Sequence, residues 1–224
     1  MPETITTDLG NLFEGREGRI IDPFEYKETV EGKEVIKEGV IRYATKQDYE
    51  GLVKADIDRS EFRHAHYDLD RKKPEDIQKK MMQRLERSFS QPEELAFIVL
   101  EINGEIAGYI ELDKLPTLPP DVIQTSTVSV LEKYHSKGAG KALVVSTETE
   151  IRRMGIKKIE LYTNDQNEQT VGSKERVGFY EKLGYEREGE PMENKKGVKW
   201  RNKNGEHVVV KHIKFVKYLN VVRE

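Results

Sequence analysis

Val128-Ser-Val-Leu-Glu-Lys-Tyr-His-Ser-Lys-Gly-Ala-Gly-Lys-Ala-Leu143 joins an apolar run to an amphipathic one through a loop that carries two glycines. Gly138 and Gly140 let a ligand come close to the backbone where the loop opens into a helix. N–H groups at a helix N-terminus, with the helix dipole behind them, bind phosphate without any charged side chain. The stretch therefore reads as strand, pyrophosphate cradle, helix. A P-loop would need glycine where His135 stands and serine or threonine where Ala142 stands, and a dinucleotide fingerprint would need glycine at Leu143. Neither fits. An ordinary strand-to-helix turn with two glycines has the same spacing, so spacing alone leaves two readings.

Working outward, the chain alternates strand and helix patterns. Upstream, Leu95 to Ile102 and Ile106 to Leu112 are apolar runs separated by Asn103-Gly104, the dipeptide that favours a two-residue hairpin turn. Before them, Ile77, Met81, Leu85 and Phe89 recur every four residues between Pro74 and Ser90, which predicts a helix stopped by Gln91-Pro92. A shorter helix is expected over Tyr49 to Ile57, capped by Thr45 and Asp48 after a strand at Val40 to Ala44. Val122 to Leu131 reads as the strand that enters the cradle. Downstream come a helix over Gly140 to Met154 stopped by Gly155, a strand over Lys157 to Tyr162, a short helix over Glu175 to Leu183, and a closing strand over Val208 to Tyr218. Residues 1–39 are rich in Glu, Lys and Gly and form an N-terminal extension, in which Phe24 to Val30 and Glu34 to Ile36 could pair as a hairpin about Glu31-Gly32-Lys33. The order predicts an α/β (α+β) fold, a mixed central sheet flanked by helices over residues 40–224.

Composition bounds the chemistry. The 224 residues contain no cysteine, which removes disulfides, thiolate metal sites, Fe–S clusters and a cysteine nucleophile. A formal charge of −3 and a pI near 6.1 give no general attraction to nucleic acid or anionic lipid. The longest apolar run, Leu95 to Leu100, is far short of the roughly 20 residues of a membrane helix. The opening MPETITTDLG lacks the basic start and apolar stretch of a signal peptide, so a cytoplasmic protein is expected, with no nucleic-acid or membrane partner. Whether it forms a homodimer is open.

The strand ending at Val130, followed by His135-Ser-Lys-Gly138-Ala-Gly140, resembles the signature of the GNAT superfamily of acetyl-CoA-dependent N-acetyltransferases: a strand ending in valine, then (Arg or Gln)-x-x-Gly-x-(Gly or Ala) opening a helix. Gly178-Phe-Tyr180-Glu-Lys-Leu-Gly-Tyr185 resembles that family's helix-to-strand segment around its tyrosine, and the Asn103-Gly104 hairpin falls in the family's order. The resemblance spans Val40 to Tyr218. It implies a GNAT-like sheet and acetyl-CoA as co-substrate, with Val128, Val130, His135, Ser136, Lys137, Gly138, Ala139, Gly140 and Lys141 around it. Asn167, counted forward from Leu161, and Ser173, counted back from Tyr180, compete for one further cofactor contact across a short insertion. His135 and Ser136 depart from the family's usual Arg or Gln and Gly. An imidazole there changes charge close to neutrality, so CoA affinity would depend on pH if His135 faced the pyrophosphate.

By the same resemblance Tyr180 is the acid that protonates the departing sulfur; a packing tyrosine in an amphipathic helix is the alternative. A free alkylamine has a pKa of roughly 10.4, so the acceptor needs help to lose its proton. Glu111 and Asp121 are candidate bases, though each reads more readily as a solvated surface charge; Glu132 reads as loop surface. The acceptor expected is an amine of a small molecule or a peptide. The other reading is a catalytically silent CoA-binding module that acts in regulation or protein interaction. His64-Ala-His66-Tyr-Asp68-Leu-Asp70 could ligate a divalent metal, but lacks the further histidine of metallo-hydrolase motifs; no metal is expected, and the segment reads as the loop between the first two helices, which by the resemblance lines the acceptor pocket. Lys195, Lys196, Lys199 and Arg201 around Trp200 read as a solvated loop rather than a nucleic-acid contact.

Overall fold

Every second residue of Phe24-Glu-Tyr-Lys-Glu28 turns to one face, and Phe24 and Tyr26 are buried there. This alternation builds β1 (Ile20–Val30), which turns at Glu31-Gly32 and returns as β2 (Lys33–Tyr43). The computed structural model describes residues 12–67, 72–165, 173–193, 200–201, 207–208 and 211–219. β2 runs through position 40 without a break and pairs on its other edge with β3 (Leu95–Ile102), so the expected boundary between extension and domain falls inside a strand. Its β-branched run Val35-Ile36 continues the pattern of Val40-Ile41 across Gly39.

β3 and β4 (Glu105–Asp113) form the expected hairpin, with Asn103 at φ 51° and Gly104 at φ 77°, the left-handed pair that a two-residue turn requires. Both strands are buried almost throughout, since helices cover both faces of the sheet. One face holds α1 (Tyr49–Tyr67) and α2 (Pro74–Ser90), and α3 (Ala139–Arg153) packs on the same strands from the other side. Ile77, Met81 and Leu85 of α2 are fully buried, each worth roughly 2 kcal/mol of apolar burial.

α1 runs on to Tyr67 instead of stopping at Ile57, because no glycine or proline interrupts the chain between Gly51 and Pro74. His64, His66 and Tyr67 therefore lie on the last turns of a helix, not in a loop; Asp68 and Asp70 lie outside the described residues. Among the described residues, no three metal-ligating side chains are grouped to hold an ion, and no helix is long and apolar enough to cross a membrane.

β5 (Val122–Val130) pairs antiparallel with β4 and parallel with β6 (Lys158–Asp165), connected through α3. α4 (Ser173–Lys182) leads to β7 (Glu186–Arg187) and β8 (Met192–Glu193), both short and both paired with β11 (Lys211–Tyr218), which runs antiparallel to β6. The sheet order is β1-β2-β3-β4-β5-β6-β11-β7, with β8 also on β11. Trp200 and Arg201, expected in a loop, form β9, which pairs with β10 (His207–Val208); Lys195, Lys196 and Lys199 lie outside the described residues.

Candidate active site

The sheet opens at one place. β5 and β6 pair from Val122/Lys158 only as far as Thr125/Leu161, yet β5 continues to Val130 and β6 to Asp165. Leu131 N–H donates to the Ala107 carbonyl on β4 at 2.8 Å, and strand N–H groups alternate in direction. Ser129 thus faces β4, while the backbone groups of Val128 and Val130 face the gap, where β6 offers them no partner. Unpaired strand edges accept an extended amide chain as an added strand.

At the end of the gap the chain makes a 3-10 turn over Glu132–Tyr134 and then rises into α3. Gly138 is the residue before the helix, at φ +81°, and a Cβ placed on it would meet nothing within 4 Å. The space beside it is open, and the helix start has neither a side-chain cap nor an acidic residue in its first turn. The N–H groups of Ala139, Gly140 and Lys141 have no partner within their own helix. Ala139 is buried, and Lys141 is exposed and makes no ion pair among the described residues. Open space, free donors and a nearby cation suit a pyrophosphate. Ser136 takes φ 60°, a conformation that the glycine common at this place would adopt without strain.

α4 closes the other side. Phe179 lies 3.8 Å from where a Cβ on Gly140 would stand, so α4 reaches the first turn of α3. Tyr180 is half-buried, with ring centroids 5.6 Å from Tyr185 and 6.0 Å from Phe215. The backbone of Ser173 begins α4, and Asn167 lies outside the described residues.

His135 turns back rather than outward. Its Nε2 lies 2.9 Å from the Val130 carbonyl oxygen, and its ring meets Phe62 of α1 edge-on at 5.2 Å. Lys137 also points away from the helix start, with Nζ 2.5 Å from Glu28 Oε1 on β1. Neither side chain sits over the helix start. Calorimetric CoA affinity is therefore expected to be nearly equal at pH 6 and pH 8, in wild type and in His135→Gln alike; a rise at pH 6 that the variant loses would place the imidazole against the phosphates.

Glu111 is not a solvated surface charge. It is buried on β4, ion-paired with Arg84 of α2, whose Nη2 lies 3.5 Å from Thr127 Oγ1 on β5. Asp121 stands at the far end of β5, about 30 Å along the strand from Val130, and pairs with Lys157 at 3.3 Å. It takes no part in the site. Glu132 is exposed, as read from the loop pattern.

The α1–α2 face beside the gap holds groups that the sequence analysis missed. The Tyr109 hydroxyl donates to Asp56 Oδ1 at 3.1 Å, and Arg59 Nε donates to the same oxygen at 2.8 Å. Burial pushes the Tyr109 phenol up to about 12. Burial would raise the Asp56 carboxyl too, but Arg59, joined by the more distant charges of Lys72 and Arg84, outweighs it and holds the group below the usual carboxylate range. The missed signal was a charge on an apolar stripe: Asp56 follows Leu52 by four positions, and Arg84 follows Ile77 by seven.

A model of the GNAT acetyltransferase family matches residues 61–185. Among solved structures, the PaiA N-acetyltransferase of Thermoplasma acidophilum in complex with coenzyme A is 19% identical at a TM-score of 0.56, over 81% of this chain and 99% of that one. An N-acetyltransferase of Staphylococcus aureus Mu50 is 15% identical at 0.61, over 81% and 99%. The ribosomal-protein-S18-alanine N-acetyltransferase of Escherichia coli is 15% identical at 0.57, over 83% and 97%. No curated protein sequence matches this one.

Proposed function

Because the chain belongs to the GNAT acetyltransferase family, we propose that it moves an acetyl group from acetyl-CoA to a primary amine of a small molecule or a peptide, by direct attack on the thioester. The observation that carries this reading is the gap between β5 and β6, which ends at an uncapped helix start with open space at Gly138. The residues present fit the co-substrate. Val128 would hold the pantetheine arm by strand-like hydrogen bonds, while the Val130 carbonyl is taken by His135 and leaves that residue its N–H, and the N–H groups at Ala139 to Lys141 would hold the pyrophosphate. When bound, acetyl-CoA supplies an acyl group on a sulfur leaving group.

The chain's own residues do the rest. The Val130 N–H, aimed into the gap, can donate to the carbonyl oxygen as negative charge grows on it. The Tyr180 hydroxyl gives its proton to the departing sulfur. Glu111, held in orientation by Arg84, takes the amine's proton through a bridging water. The buried pairs Asp56–Arg59 and Glu111–Arg84 make the α1–α2 side of the gap polar, which suits an amine acceptor approaching from that side.

Acetyl-CoA at a hundred times its Kd should stabilise the fold by about 2.7 kcal/mol, raising the melting temperature by roughly 5–10 °C. No shift at millimolar cofactor would remove the reading. Single-turnover release of free thiol with polyamines, amino acids, aminoglycosides and peptide N-termini then tests transfer. A melting shift with no thiol released by any amine would favour the silent CoA-binding module.

A further inference from the structure

Lys137, one residue before Gly138, belongs to the loop that leads into α3, yet its ammonium is directed to the N-terminal hairpin. It lies 2.5 Å from Glu28 Oε1, 5.2 Å from the Tyr26 ring centroid and 5.8 Å from that of Tyr134. The two rings meet edge-on at 6.1 Å. An ammonium between two aromatic faces and a carboxylate is held by cation–π and charge-assisted hydrogen bonding together. Phe24, Tyr26 and Glu28 alternate onto one face of β1, so the sequence of that strand itself supplies the receptacle. The segment before β1 grips the same helix near its other end: Arg16 Nη1 lies 2.8 Å from the buried Glu150 carboxylate of α3, Arg19 bonds the same oxygen, and the Tyr43 hydroxyl donates to it at 3.1 Å.

We propose that the N-terminal hairpin is a positioning element for the phosphate-binding loop, with Lys137 as its anchor rather than as a phosphate contact. This rests on the reading of the loop as the CoA site. The loop needs such a support, because Ser136 and Gly138 both hold positive φ and no side chain caps the helix behind them. A loop that samples other conformations binds with an affinity reduced by the fraction of time it is competent. Fixing Lys137 from outside raises that fraction at no cost to the space where the phosphates sit.

The test measures CoA affinity by calorimetry, and KM for acetyl-CoA and kcat with an accepted amine, in the full chain. Glu28→Gln and Lys137→Met should each raise Kd and KM by about three- to tenfold with kcat within twofold, as expected when preorganisation alone is lost. The double variant should be no weaker than Lys137→Met alone, and Lys137→Arg should bind as wild type does. Glu25→Gln, exposed on the same strand, should change nothing. Amide hydrogen exchange over residues 131–138 in the ligand-free protein should rise in Glu28→Gln, a readout that needs no activity. Unchanged affinity and exchange in Glu28→Gln, additive losses in the double variant, or tighter CoA binding once Glu28 is neutral would each overturn the proposal. A wild type that binds no CoA would instead overturn the reading of the site, and this proposal with it.

Discussion

Tyr180→Phe is expected to lower the turnover of acetyl transfer by about 10²-fold or more while changing CoA affinity less than twofold. A positioned general acid contributes roughly 10²–10⁴-fold, and it acts only as charge develops on the leaving group, so its loss falls on kcat and not on ground-state binding. The phenyl ring keeps the contacts that the tyrosine ring makes with Tyr185 and Phe215, at 5.6 and 6.0 Å between centroids, so the fold should not be disturbed. Single-turnover kinetics beside calorimetry separate the two quantities. Equal turnover in both proteins would make Tyr180 a packing residue of α4 and move the acid role to water or to another group.

Gly138→Val should weaken CoA binding by about 100-fold, and Gly138→Ala by less. Two effects are distinct. At φ +81° any side chain strains the backbone, by roughly 1–2 kcal/mol for an L-residue in the left-handed region. An urea melt of the ligand-free variant reads that part directly. The second effect is seen only with ligand: an added Cβ meets no protein atom within 4 Å, so it projects into the open space beside the helix start and excludes the phosphates from it. Strain carried alike by the free and bound folded protein cancels from Kd, so the affinity lost belongs to that exclusion. A Gly138→Val protein that folds and binds CoA as wild type does would mean that the phosphates lie elsewhere.

How much was legible differs from one element to the next. The β3–β4 hairpin could be read because Asn103-Gly104 sets its turn and register locally, and α2 because its apolar residues keep a four-residue spacing between two prolines. The helix start at Gly138 was legible for the same reason: a left-handed glycine before a helix is a local backbone requirement. The length of α1 was not, since its last turns carry no apolar period, and absence of a breaker is a weaker signal than presence of a stripe. The turning of His135 to the Val130 carbonyl and Phe62 depends on a side-chain choice among partners 5 and 73 positions away, which no local pattern encodes.

The sequence by itself determined the family, the sheet-and-helix class, the helix opened by a left-handed Gly138 and the absence of all cysteine chemistry, because each follows from residue identity or from spacing within a few turns of chain. Only the tertiary structure decided what those residues face. β5 and β6 stop pairing after Thr125/Leu161 although both strands run on, and no residue pattern within either strand marks that point. Burial turned Glu111 from a strand-end charge into the partner of Arg84, and the crossing of β1 over the start of α3 brought Glu28 to Lys137 across 109 positions. A charged side chain can pair with many others along a chain in which 35% of residues are charged, and packing alone selects which one it meets.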